Sequence, residues 1–373
     1  MSNNPLKQLG ELDQSVWYDN IHRDMLDSGE LARLVAEDGV RGVTSNPSIF
    51  DKAISGSGSY DAAIADVLRA HAGLDVEEVF NHLAVRDIRD AADVLRPVYE
   101  ETEGRDGMIS IEVSPTLAHD TAGTVEEARR LHAWIDRPNL MVKVPATREG
   151  LPAIETLISE GISINVTLLF SVERYAGVVD AFLAGLQARA RRGQPLDRIA
   201  SVASFFVSRV DSAVDARLDD AHGELRGKVA IANAQLAYQH FLEVFGGSRF
   251  SELRALGAQE QRLLWASTGT KNPAYSDVLY VESLIGPRTV NTMPPATFEA
   301  FRDHGRAEAQ LITGLNGAGA LLARLPESGI DLAAVTDQLE AEGVKAFVDA
   351  YRNLLTGLEG RISAVDKNSR ATG

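Results

Sequence analysis

The chain contains no cysteine. That absence excludes disulfides, thiolate nucleophiles and cysteine-ligated metals together. It also has no apolar run long enough to span a bilayer, and its polar start, Ser2-Asn3-Asn4-Pro5, is not a secretory signal. The expectation is a cytoplasmic protein with no membrane partner, so the formal glycosylation triplet Asn165-Val166-Thr167 carries no meaning. Positive charge is in short supply. The net charge of −16 argues against a nucleic-acid footprint and leaves room for a small phosphorylated substrate only where a few basic groups converge. The eight histidines, His22, His71, His82, His119, His132, His222, His240 and His304, show no metal-ligand spacing, so no metal is expected. Lysine is the scarcer cation, with seven against thirty arginines.

One of those few lysines interrupts an apolar strand, Leu140-Met141-Val142-Lys143-Val144-Pro145-Ala146-Thr147. Side chains alternate across a strand, so Met141, Lys143 and Pro145 share one face and Val142 and Val144 the other. A strand gives a lysine little room to snorkel to water. Either it forms a structural ion pair, or its amine is needed. What lysine can do and arginine cannot is lose its proton and attack a carbonyl to form a Schiff base. An unperturbed lysine is only about 0.1% deprotonated near neutrality, and lowering its pKa by two or three units corresponds to about 3 to 4 kcal/mol. Burial acts in that direction, whereas carboxylates nearby oppose it.

The 373 residues, 45% of them hydrophobic, can bury a large core. In order, the chain repeats a short apolar stretch, a loop and a helical pattern. Strands are expected at 15–19, 42–46, 108–113, 140–147, 163–169, 199–207, 262–267 and 288–292. Helical patterns follow at 21–37, 60–101 with a break at Gly73 and a cap at Asp75, 124–134, 172–190, 212–245 with breaks near Gly223 and Gly227, and 275–285. Ser55-Gly56-Ser57-Gly58-Ser59 reads as a mobile loop whose Ser59 caps the next helix, with a phosphate cradle as the alternative. Eight strands alternating with helices predict a parallel (β/α)8 barrel, the TIM barrel architecture. Residues 298–365 are helical and predict a C-terminal extension packed on the barrel. No linker or low-complexity block divides the chain, so 1–373 reads as a single barrel domain.

Polar residues inside the strands carry the functional expectation. Asp19, Thr44, Asn46, Glu112, Lys143, Asn165, Thr167, Ser204 and Ser267 interrupt stretches otherwise made of Val, Ile, Leu, Phe and Ala. Each alone is explained as a hydrogen-bonded core residue. Spread over seven strands of one barrel, they point instead to a shared site at the C-terminal strand ends.

Two of these stretches, Gly42-Val43-Thr44-Ser45-Asn46-Pro47-Ser48-Ile49-Phe50 and Leu140 to Thr147 with Glu149-Gly150-Leu151 after it, resemble the signature segments of the transaldolases. The resemblance extends through Ile111-Glu112-Val113, Ile164-Asn165-Val166-Thr167-Leu168-Leu169-Phe170 and Phe206-Val207-Ser208-Arg209, and so covers essentially the whole barrel. It implies a class I aldolase-type barrel that moves a dihydroxyacetone unit between sugar phosphates without a metal or organic cofactor. The implied reaction transfers that unit from sedoheptulose 7-phosphate to glyceraldehyde 3-phosphate, giving erythrose 4-phosphate and fructose 6-phosphate, in the non-oxidative pentose phosphate pathway.

Position by position, the resemblance implies Lys143 as the imine-forming amine and Asp19 as the base for carbon–carbon cleavage. Glu112, with Thr167 and a water, would relay protons. Asn46 and Asn165 would hold the dihydroxyacetone hydroxyls, with Thr44 and Ser204 shaping the pocket. Arg209 and Ser267 would bind the phosphate. Where many members place a second arginine two residues after that serine, this chain has Gly269, and the nearest basic group is Lys271, either a phosphate ligand or a solvated loop lysine. Two other readings stay open: a related aldolase that releases dihydroxyacetone, and a non-catalytic sugar-phosphate-binding barrel. The oligomeric state is left as monomer or homodimer.

Overall fold

Eight short strands close on themselves in chain order, every neighbouring pair parallel and β1 pairing with β8. They are β1 (Gln14–Tyr18), β2 (Val40–Val43), β3 (Met108–Glu112), β4 (Leu140–Pro145), β5 (Ile164–Leu169), β6 (Ser201–Phe206), β7 (Gln261–Ala266) and β8 (Thr289–Met293). The computed structural model describes residues 4–371 apart from Ser57. This is the (β/α)8 barrel expected from the alternating pattern. Helices surround it because each crossover between parallel strands must run back along the outside of the sheet.

Local chemistry sets several of these helices. Asp75 caps Val76–Glu101 in a reciprocal box with Glu78, at the break expected after Gly73. Ser171 caps Val172–Arg191 by accepting from the Arg174 N–H, and Gly161 ends Gly150–Glu160 at a φ of 98°. Inside the barrel, Gly42 of β2 faces Trp17 of β1. A Cβ there would lie 2.5 Å from the indole, so glycine is what lets that ring fill the interior.

Four expected elements differ. The helix at 21–37 is broken at Gly29, whose φ is 73°, into Arg23–Asp27 and Glu30–Arg33, and a π turn follows at Leu34–Asp38. The segment 55–59 is not a loop: Ser55 and Gly56 end the helix Pro47–Gly56, and Gly58–Tyr60 forms a 3-10 turn. Ser57 lies outside the described residues. Tyr60, not Ser59, occupies the cap position of Asp61–Ala70. The stretch 212–245 divides into the end of Ser208–Asp215, a 3-10 segment and Val229–Gly246, while 275–285 keeps only Leu279–Ser283 as helix.

Beyond β8 the chain is mainly helical and packs on the barrel. Its longest element, Leu332–Ala371, lies across the C-terminal strand ends and against the helix Pro47–Gly56. Tyr351 of this helix donates its hydroxyl to Glu77 at 2.9 Å and meets Phe80 edge to face. No helix among the described residues is long and apolar enough to cross a membrane.

Candidate active site

Sheet register gathers the expected polar residues. Glu112 pairs with Lys143 across β3 and β4, Lys143 with Asn165 across β4 and β5, and Pro145 with Thr167 one step further on. Neighbours in register on parallel strands point the same way, so Glu112, Lys143, Asn165 and Thr167 all face the barrel axis. They open onto a cavity of about 390 Å³ at the C-terminal mouth. Its walls include Asp19, Thr44, Asn46, Lys143, Thr167, Ser204, Arg209, Ser267 and Lys271. Glu112 and Asn165 stand in register beside Lys143 and are not among the residues that line the cavity. The Asn165 amide donates to Ser110 at 3.0 Å and its carbonyl accepts from Ser204 at 2.7 Å, which fixes both side chains relative to each other.

Lys143 is buried, donates to the Ser45 carbonyl at 3.0 Å and stands 3.6 Å from Glu112 Oε2. That second distance is an ion-pair contact too long for a hydrogen bond. The amine is therefore beside the cavity and not locked to a carboxylate. Burial pushes the Glu112 carboxyl up to about 7, against the opposing charge of Lys143. Burial likewise raises Asp19, with Lys143 and the 2.6 Å hydrogen bond from Thr44 acting the other way. Desolvation outweighs ionic attraction at both carboxyls. Glu112 Oε2 and Thr167 Oγ1 are both buried without a hydrogen-bond partner among the described residues.

The outer part of the cavity is cationic. Arg209 lies in the first turn of the helix Ser208–Asp215, stands over the Phe206 ring at 5.4 Å and donates no hydrogen bond to another of the described residues. Ser267 follows β7 with a φ of 55°, a left-handed conformation uncommon outside glycine, and is bracketed by Ser208 through side chain at 3.0 Å and backbone at 3.1 Å. Lys271 lines the same rim, and so does Lys52, which sequence reasoning missed. The signal for Lys52 was Asn46-Pro47: Asn46 accepts from the Ile49 N–H at 3.1 Å as a cap, and Pro47 is the first helical residue. Read as a helix start rather than a strand end, the pair puts Ser48 and Lys52 on one face, a turn apart.

A larger cavity, about 840 Å³, opens at the opposite end of the barrel. There Arg41 pairs with Glu101 at 3.4 Å and Arg105 with Asp13 at 2.7 Å, and no lysine on a strand lines it. Chemistry, not size, selects the smaller one.

Comparison with known proteins agrees. The sequence model of the transaldolase/fructose-6-phosphate aldolase family matches residues 16–358. The chain belongs to the transaldolase family. A transaldolase of Thiobacillus denitrificans is 51% identical over 356 residues, spanning 94% of this chain and 99% of that protein. Transaldolases of Thermobifida fusca and Trichodesmium erythraeum are 50% identical over 365 residues and 47% identical over 376 residues, covering 96% and 97% of this chain and 99% and 98% of their own lengths. Family membership makes the chain an enzyme of the transferase class acting on sugar phosphates, with a transaldolase's lysine Schiff-base chemistry. Within that transaldolase frame the arrangement separates two tasks: an apolar, carboxyl-flanked amine in depth, and a cationic rim for an anion.

Proposed function

We propose that Lys143 is the amine that forms the imine, and that the unit transferred is dihydroxyacetone, carried from sedoheptulose 7-phosphate to glyceraldehyde 3-phosphate to give erythrose 4-phosphate and fructose 6-phosphate. One observation carries this reading. A single buried lysine, flanked by carboxyls held toward their protonated forms, opens onto a cavity rimmed by Lys52, Arg209 and Lys271.

In this reading the Lys143 nitrogen attacks the ketose carbonyl, and Glu112 donates the proton with which the carbinolamine loses water. A water held between Glu112 Oε2 and Thr167 Oγ1 satisfies both buried atoms and serves as the relay. The resulting iminium is the electron sink. Asp19 takes the hydroxyl proton as the carbon–carbon bond breaks, and the aldose leaves. The retained three-carbon enamine then attacks the acceptor aldehyde, and hydrolysis frees the new ketose. Asn46 and Asn165 hold the dihydroxyacetone hydroxyls, with Ser204, which donates to Asn165, and Thr44, which donates to Asp19, shaping the pocket. Arg209, Ser267 and Lys271 bind the phosphate, for which the arginine fork is suited, with Lys52 as a further cation.

The same reading treats 1–373 as one barrel domain, because the C-terminal helix supplies part of the cavity wall. It places the protein in the cytoplasm as a monomer or homodimer, without nucleic-acid or membrane partners. Borohydride reduction in the presence of fructose 6-phosphate, followed by peptide mapping, tests it. The adduct is expected on Lys143 and absent from Lys143→Ala; an adduct on another residue removes Lys143 from the role.

A further inference from the structure

The long C-terminal helix reaches the site at one side chain. Phe347 lines the cavity that holds Lys143 and Thr167 and is only 7% exposed. Gly343, one turn earlier on the same face, lies on Leu168. A Cβ at that glycine would be 2.9 Å from the leucine side chain, so the absence of one sets how closely the helix approaches β5. Leu168 itself has a φ of 59° within an irregular stretch of the β5–β6 register, directly after Thr167. Further contacts hold the helix on either side of Phe347. Arg174 donates to Glu340 at 3.1 Å in a largely shielded pair, and Tyr351 donates to Glu77 at 2.9 Å. The ring is thus held by contacts before and after it, over a cavity whose deep wall carries the reacting amine.

We propose that Phe347 is a specificity-determining residue that favours transfer over release of dihydroxyacetone, an inference that rests on Lys143 being the imine lysine. After cleavage the three-carbon fragment is an enamine on Lys143, and its nucleophilic carbon has two fates. In transfer it bonds to the acceptor carbonyl carbon, and the aldehyde oxygen takes a proton. In release the same carbon takes a proton, ultimately from water. The iminium so formed adds water, and the carbinolamine collapses to free dihydroxyacetone and the lysine amine. Neither route changes oxidation state beyond the aldol step, and both end in hydrolysis. They diverge at protonation of carbon before the acceptor arrives. An apolar ring walling the mouth lowers the supply of water and mobile protons at that moment and leaves the phosphate rim open to the acceptor.

The experiment measures partitioning. The full chain is given fructose 6-phosphate with and without erythrose 4-phosphate, and free dihydroxyacetone is measured against sedoheptulose 7-phosphate formed. Misfolded molecules drop out of that ratio. Phe347→Ala is expected to raise release relative to transfer by about ten-fold while borohydride still traps donor on Lys143, and Phe347→Leu to restore most of the loss. A ratio within about two-fold of the parent in Phe347→Ala, with trapping intact, overturns the proposal. Loss of trapping in that variant also overturns it, showing a ring needed to build the site rather than to dry it. Absence of a Lys143 adduct in the parent enzyme is a separate result, which removes the imine assignment itself.

Discussion

The two ends of this barrel each bury charge on their strands and finish it differently. At the N-terminal end, Arg262 of β7 donates to Ser15 at 2.8 Å, to the Arg105 carbonyl at 2.6 Å and to Asp106 at 2.8 Å. Asp106 also accepts from Ser15 at 2.7 Å and from the Trp17 indole at 3.0 Å. At the C-terminal end, Lys143 donates one hydrogen bond, to Ser45, and Glu112 leaves an oxygen without a partner. Burial is similar, with Arg262 at 4% and Lys143 at 5% exposure. Completeness is what separates them. A buried ion whose bonding capacity is filled holds the closed sheet together, whereas one left underfilled stands ready for a ligand or a proton.

The sharpest way to break the contrast is to replace each cation by an apolar residue of similar length. Lys143→Met is expected to cost on the order of 10⁴-fold in transfer activity while denaturation midpoints hold or rise, since no well-paired charge is lost. Arg262→Met should do the reverse. Stranding Asp106 costs about 3 to 5 kcal/mol of stability in urea titrations, with activity per folded molecule retained. Should Lys143→Met destabilise the fold as much as Arg262→Met, the two ends do not differ in the way described.

Acidity sharpens the comparison further. Burial holds Glu112 at about 7, above the 4.5 of a free side chain, so between those values the folded state binds more protons than the unfolded chain. Stability is therefore expected to fall as pH rises through that window, and Glu112→Gln should remove a difference on the order of 3 kcal/mol, read from unfolding curves at pH 4.5 and pH 8. The smallest effect belongs to the rim. Lys52→Ala should raise KM for phosphorylated donors by about five-fold with kcat unchanged, consistent with one exposed charge. An equal change with unphosphorylated dihydroxyacetone as donor would detach Lys52 from the phosphate.

Strand order and the inward row of polar residues were legible because each strand is a short apolar run with one chemical exception, and parity alone assigns its face. Asp19, Thr44, Glu112, Lys143, Thr167 and Ser204 were legible for that reason. Asn46 and Pro47 misled because an N-cap followed by proline is also how a strand ends, and the helix Pro47–Gly56, with Lys52, was lost with it. Phe347 was invisible for a different cause. Its neighbours Val344, Tyr351, Leu354 and Leu358 are buried helix residues, and periodicity cannot tell an aromatic that packs on a core from one that looks into a chamber. Asn165 is legible as an inward-facing residue, while its hydrogen bonds with Ser110 and Ser204 are not, since a strand position gives a direction but not the neighbour standing in front of it.

The order of the chain adds a temporal consequence. Every group proposed to react precedes residue 294, whereas the helix that walls the mouth begins at Leu332. During synthesis the strands can therefore meet before their cover has left the ribosome, and a nascent barrel would hold Lys143 in a vessel without its stopper. Under the proposal made for Phe347, donor sugar met at that stage would be split and leaked rather than passed on, and the fidelity of the reaction would be acquired later than the ability to perform it.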